Sequence, residues 1–133
     1  MAGATSSIVW NEESSDVLKA TITWLSDDAS GAVTHTFDQV DKERVRGYYL
    51  FFMLTNPGAT APTDNYDITL LDDDSVDMAG GALADRDTSN SEAVLPLLSG
   101  GVAGDRIVNG GIAVTITSAG NAKVGVLKLW FRR

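Results

Sequence analysis

The sequence predicts an all-β fold, a single-domain antiparallel β-sandwich of about eight short strands. Three features lead there. Residues 47–55 (GYYLFFMLT) run apolar without a break, so alternate side chains of a strand made from them face opposite sides and both sides need covering. Several other segments alternate apolar and polar residues with a period of two. Turn signals recur between them, as at Asn56-Pro57-Gly58 and Asn109-Gly110-Gly111. The chain of 133 residues suits one domain, and a domain of this size buries roughly two-thirds of the surface its unfolded chain exposes.

Taken in order, residues 1–7 are expected to form a flexible N-terminal arm with neither a basic leader nor an apolar run. Ile8-Val9-Trp10 opens the first strand, and residues 12–16 read as a polar break. Residues 17–25 (VLKATITWL) set Leu18, Ala20, Ile22 and Trp24 on one face, which makes Trp24 a core residue. Residues 26–31 read as a hairpin-type loop, after which 32–37 return with Val33, His35 and Phe37 on one side. Residues 39–46 are charged and predict one helical turn or a loop before the central strand.

Pro57 and Pro62 bracket a loop, since proline donates nothing to a sheet ladder. Tyr66, Ile68 and Leu70 then share a face, Asp72, Asp73 and Asp74 make a turn, and Val76 to Met78 pair back as a short arm. Residues 80–91 are too long and polar for a simple turn, and such loops are usually functional or mobile. Residues 92–98 carry Pro96 and predict an edge strand or a packed loop. Ile112, Val114 and Ile116 alternate along the next strand. After a turn at 118–121, residues 123–131 (KVGVLKLWF) close the chain as its final hairpin partner, with Val124, Val126, Lys128 and Trp130 on one face.

Charge narrows the partners. The net charge is -8, but residues 1–92 hold 17 acids against 5 bases and residues 93–133 hold one acid against 5 bases. An acidic chain is repelled by phosphates and anionic lipid, so neither nucleic acid nor membrane is expected as a partner. The basic C-terminal end suits an acidic surface on a neighbouring copy. No segment approaches the ~20 apolar residues of a membrane span, and the expectation is a protein made in the cytoplasm and soluble there. The absence of cysteine removes disulfides and thiolate metal sites.

Catalytic patterns are not found. His35, the single histidine, lies mid-strand among threonines, and no G-x-S-x-G, P-loop or G-x-G-x-x-G is present. With 18 acids in the chain, a carboxylate pair of glycosidase type carries no specificity. The expectation is therefore no enzyme and no cofactor. Asp72, Asp74 and Asp77 are weak metal candidates, for calcium, because hard cations take several oxygens from one loop. The spacing departs from an EF-hand: Val76 stands at the third ligand position and Asp77 where glycine belongs. The preferred reading is a solvated turn.

Residues 64–92 carry a more specific pattern. The chain resembles a family of small structural proteins of tailed bacteriophages and prophages that share P-x-D-N-Y-D-(V/I)-T-L-x-D-x-D-G-x-D-(V/M)-x-x-G, then R-D-T-x-N-x-E, then a terminal S-x-A-G-x-A-K-x-G-x-(V/L)-x-L. Pro62, Asp64, Asn65, Tyr66, Asp67, Asp72, Asp74, Asp77, Gly80, Arg86, Asp87, Thr88, Asn90 and Glu92 match, as do Ser118, Gly120, Lys123 and Gly125. The likeness spans about residues 17–131 and departs at Ser75, where glycine is expected.

The resemblance implies a virion protein. Within virions the favoured role is a capsid decoration or cement protein on the outer surface of the head, bound to the major capsid protein and to itself, as a homotrimer by preference. It would act by many summed contacts, without chemistry. A tail, neck or fibre component is the alternative, and a carbohydrate-binding module, which needs aromatics exposed on one face, a more distant one. On this reading the interface residues are Asp85, Arg86, Asp87 and Glu92 of the long loop, with Arg132 and Arg133. Arg86 either pairs across an interface or braces its own loop, and residues 130–133 are either a strand end in the core, the preferred reading, or an exposed aromatic-basic anchor.

Overall fold

The computed structural model describes residues 3–133, which form nine strands and one short helix. Strands β1 (Thr5–Ser14), β2 (Val17–Leu25), β9 (Val124–Arg132), β4 (Tyr49–Pro57) and β6 (Glu92–Val94) lie in that order in a large antiparallel sheet, with β7 (Arg106–Ile107) also paired to β4. Strands β3 (Val33–Thr36), β8 (Ala113–Thr117) and β5 (Asp67–Leu71) form a small antiparallel sheet. The two sheets enclose one core, so the predicted all-β sandwich is the observed architecture.

The period-two patterns aim as the sequence predicts. Leu18, Ala20, Ile22 and Trp24 of β2 point inward, as do Ile68 and Leu70 of β5, Val114 and Ile116 of β8, and Leu127, Leu129 and Phe131 of β9. Trp24 meets Tyr66 across the layers at 5.8 Å between ring centroids. Gly125, opposite Trp24 in the ladder, leaves the room that indole needs, because a Cβ there would lie 2.3 Å from Trp24 Cζ2. At the other end of the core Trp10 packs edge-on to Phe37 and donates to Asp41 Oδ1 at 2.8 Å. Asp41 belongs to the helix α1 (Gln39–Arg44), whose N-cap Asp38 forms a reciprocal capping box with it.

Four expectations need correction. The first strand is longer than Ile8-Val9-Trp10: β1 takes in Thr5, Ser6 and Ser7 of the supposed arm and runs through the polar residues to Ser14. Its ladder to β2 continues to Glu12 opposite Leu18 and shifts at a bulge, where Glu13 pairs with Lys19 at 3.1 Å. Hydrogen bonding and that ion pair override the polar composition. Met1 and Ala2 of the arm lie outside the described residues.

The second and third corrections concern topology. Residues 26–31 do not make a hairpin, because β2 and β3 belong to different sheets, and the same is true of β8 and β9. Both connections cross between layers at one end of the sandwich and are bonded to each other. Ser26, fully buried, donates from N to Lys123 O (2.8 Å) and from Oγ to Gly120 O (2.6 Å), while Lys123 N donates to Ser26 Oγ (2.8 Å). Gly31 and Gly120, at φ of 68° and 84°, meet backbone to backbone, with Ala119 N on Gly31 O. These long-range bonds are invisible to a local pattern.

Fourth, the central strand is covered on one side only. Leu50, Met53 and Thr55 of β4 face the core, but a bulge between Leu50 and Phe52 lets both Phe51 and Phe52 leave it. Residues 80–91, by contrast, are better packed than their polarity suggests: Leu83 is fully buried within this loop, as are Met78 and Ala79 just before it.

Two stability measurements follow. Ser26→Ala leaves the amide of Lys123 and the carbonyl of Gly120 without a buried partner, so thermal or urea unfolding is expected to show a loss of about 1–3 kcal/mol. Ser75, where the resembling family has glycine, sits at φ 60° in the left-handed region. Ser75→Gly is expected to leave stability unchanged or raise it by up to about 1 kcal/mol, because relief of the Cβ clash opposes the greater freedom of unfolded glycine.

Candidate functional site: the long loop and the open face of the large sheet

Of the residues singled out in the long loop, Arg86, Asp87 and Glu92 come together and bond to one another, whereas Asp85 is exposed and enters through its backbone amide. Arg86 directs Nε and Nη2 to the carbonyl of Ala84 at 3.1 and 3.0 Å, and its Nη1 stands 3.5 Å from Glu92 Oε1. That same Glu92 oxygen accepts Asp87 N at 2.9 Å. The Asp87 carboxylate accepts the amides of Ser89 and Asn90, which hold its pKa below the ordinary carboxylate value. Arg86 therefore braces its own loop.

The flanking acids work the same way. Asp64 Oδ1 accepts Thr88 N at 3.2 Å, Thr88 Oγ1 donates to Pro62 O at 2.5 Å, and Asp67 Oδ1 accepts Asp85 N at 2.9 Å. Arg86 also bridges in register with Tyr66. The motif of aspartates, arginine and glutamate is thus a set of side-chain ties pinning a long loop over Tyr66, whose phenol is pushed to higher pKa first by burial.

The acidic turn is occupied by its own backbone. Asp72 Oδ1 accepts the amides of Asp74 and Val76, and Asp77 accepts those of Leu70, Ala79 and Gly81. Asp74 Oδ2 accepts from Asn109 Nδ2, and Asp73 Oδ1 from Gly111 N. Among the described residues no three His, Asp or Glu side chains converge as a metal requires. His35 bonds Ser6 Oγ through Nδ1 at 2.7 Å and joins no carboxylate.

At the chain end the structure divides what the sequence left together. Phe131 is core, whereas Trp130 stands half-buried on the outer face of the large sheet, so the preferred core reading of residues 130–133 holds for Phe131 alone. Arg132 bonds Asp105 Oδ2 through Nε and Nη2 at 2.9 and 2.7 Å and lies over Phe51 at 4.6 Å. Arg133 reaches Asp16 at 3.5 Å and covers Tyr48 at 5.2 Å. Both arginines pair within their own chain.

The ladder brings together a surface that reading one segment at a time missed. Trp130 has Lys19 of β2 on one side and Phe52 of β4 on the other, and one step along Lys128 lies between Thr21 and Leu54. Trp130 and Phe52 meet edge to face at 5.2 Å, and Lys19 Nζ is 6.0 Å from the indole centroid. The signal was present in the alternation of β9, which puts Lys128 and Trp130 on one face. Among the described residues no strand or helix covers this face, and of its cations Lys19 pairs with Glu13 and Arg132 with Asp105.

Two cavities are open to solvent. One, of about 220 Å³, lies between α1 and the 108–110 segment and is lined by Gln39, Lys42 and Arg46. The other, of about 280 Å³, lies at the start of β1 and the end of β2. The first is lined by no hydroxyl or thiol nucleophile; the second is lined by Ser6, whose Oγ meets His35 Nδ1 at 2.7 Å, with no carboxylate bonded to that imidazole among the described residues. The chain matches no protein-family model, no curated protein and no solved structure. No helix among the described residues is long and apolar enough to cross a membrane.

The brace and its acid dependence are testable together. Asp87 has its folded pKa lowered by backbone amides, so its contribution is present above the unfolded value of 3.8 and is lost as pH falls through the folded one. Melting temperature is expected to drop for the parent chain below about pH 4, with a shallower drop for Asp87→Asn. For Arg86→Ala, hydrogen exchange is expected to quicken at the amides of Asp87 and Thr88 while the β2 and β9 amides keep their protection.

Proposed function

We propose that this chain is a virion structural protein of a tailed double-stranded DNA bacteriophage, acting as a capsid decoration protein that adheres to the outer surface of the head. The observation that carries the reading is the uncovered face of the large sheet, where half-buried Trp130, Phe51 and Phe52 stand beside Lys19, Lys128 and Arg132. Aromatic and arginine side chains are the groups that anchor protein interfaces. Because Lys19 and Arg132 are already paired with Glu13 and Asp105, the attachment would rest on the aromatic side chains, and the net negative charge repels packaged DNA, which suits the outside of a shell. The resemblance of residues 64–92 to phage structural proteins supplies the particle. Attachment would stabilise the head through many copies that each bridge shell subunits, so that weak contacts add.

One observation favours a second reading. Aromatics on an outer sheet face are what a carbohydrate-binding module requires, and Phe52 and Trp130 supply two. Their edge-to-face packing and the cations lying over Trp130 and Phe51 leave no flat stacking platform, so protein is the better-fitting partner.

Electron cryo-microscopy of purified particles is expected to show this chain in many copies over the head. Few copies confined to tail or neck would assign it there instead. Particles lacking it are expected to lose DNA at lower temperature. Trp130→Ala, which leaves the core intact, is expected to weaken attachment to bare heads by more than about tenfold, while a glycan array stays blank.

A further inference from the structure

The sheet edges of this molecule are not treated alike. In the small sheet the edge strands β3 and β5 have four and five residues. At the far side of the large sheet β6 has three residues and β7 two, and Pro96 follows directly after β6. Short strands and proline are how folded chains keep edges from pairing with other molecules. Strand β1 lacks these devices. It is ten residues long, and from Thr5 to Asn11 it carries no charge, no proline, no glycine and no bulge.

Its ladder partner is β2 alone. Along the opposite edge, no backbone N–H or C=O of Thr5–Ser14 finds a partner among the described residues. The edge is also held in place. Ser6 is tied to His35 of β3 and Trp10 to Asp41 of α1, so the strand is presented against a fixed background. Val9, at its middle, is 58% exposed.

We propose that β1 pairs antiparallel with β1 of a second copy of this chain, about a two-fold axis near Ile8, so that the two large sheets become one. A strand that fills this edge needs a free edge of matching length, and among the described strands only β1 offers one. The sequence is compatible with itself in this register. Ser6 falls opposite Trp10 of the second copy, Ser7 opposite Val9 and Thr5 opposite Asn11, while Glu12 and Glu13 meet Ala4 and Gly3 rather than each other. The contact is self-complementary and closes at two copies. The axis stands perpendicular to the sheet, so both Trp130 faces lie side by side on one surface. Where that face is the adhesive one proposed above, pairing doubles it; the pairing itself does not rest on that reading.

The test is light scattering on the full chain, from micromolar to millimolar, with far-UV circular dichroism and melting as fold controls. The mass is expected to approach twice 14.1 kDa. Ser7→Lys with Val9→Lys places like charges opposite each other across the pair on exposed positions. It is expected to weaken association at least tenfold with the melting temperature of the dilute protein unchanged, while Ser7→Thr with Val9→Thr keeps the pair. A chain monomeric throughout the range overturns the proposal, as do a trimer and a dimer indifferent to the lysines. Protection of β1 amides from exchange only after bare heads are added assigns the edge to another protein and also overturns it.

Discussion

The structure depends on two crossings between its layers that are bonded to each other. One leads from β2 to β3 and the other from β8 to β9, and Ser26 joins them through the backbone of Gly120 and Lys123. The hydroxyl both donates and accepts in the interior, where an unmet partner costs far more than a met one contributes. Gly31 and Gly120 let the two backbones approach within van der Waals distance. Because this junction holds β2 and β9 as neighbours in one sheet and β3 and β8 as neighbours in the other, it selects the pairing of both layers.

With the layers so joined, the small sheet covers only one side of the large one. The aromatic run through β4 then has more apolar surface than the core can take. The bulge after Leu50 resolves this by keeping Leu50, Met53 and Thr55 inside while turning Phe51 and Phe52 out. The outward rings are shielded in part by Arg132 over Phe51 and Trp130 against Phe52, and Trp130 in turn by Lys19, while both cations pair with acids of the chain. One sheet face thereby carries apolar surplus from the core, with Lys19 and Arg132 along it paired to Glu13 and Asp105.

The acidic half of the chain has the opposite character. Asp64, Asp67, Asp72, Asp77, Asp87 and Glu92 each accept backbone amides, chiefly from turns that have no ladder partner. These carboxylates replace secondary structure along a stretch where the chain forms little of it. Their dense spacing, which reads as a binding motif in one dimension, is in three dimensions the framework of the loop that lies over Tyr66. Arg86 belongs to the same framework.

The all-β class and the alternating core positions of β2, β5, β8 and β9 were legible in the sequence, because strand periodicity is a local property, while residues 39–46 were left between a helical turn and a loop until the Asp38–Asp41 capping box decided for the helix. Trp24, Tyr66 and Leu70 declare their burial by spacing alone. Whether β2 returns on itself or crosses to the other layer is a matter of contacts such as Ser26 with Lys123, far apart in the chain, and no local pattern encodes them. For the same reason the roles of Arg86, Trp130 and Phe52 waited on the tertiary structure. A side chain's surroundings are set by which strands lie beside its own, and that order is decided when the two layers close.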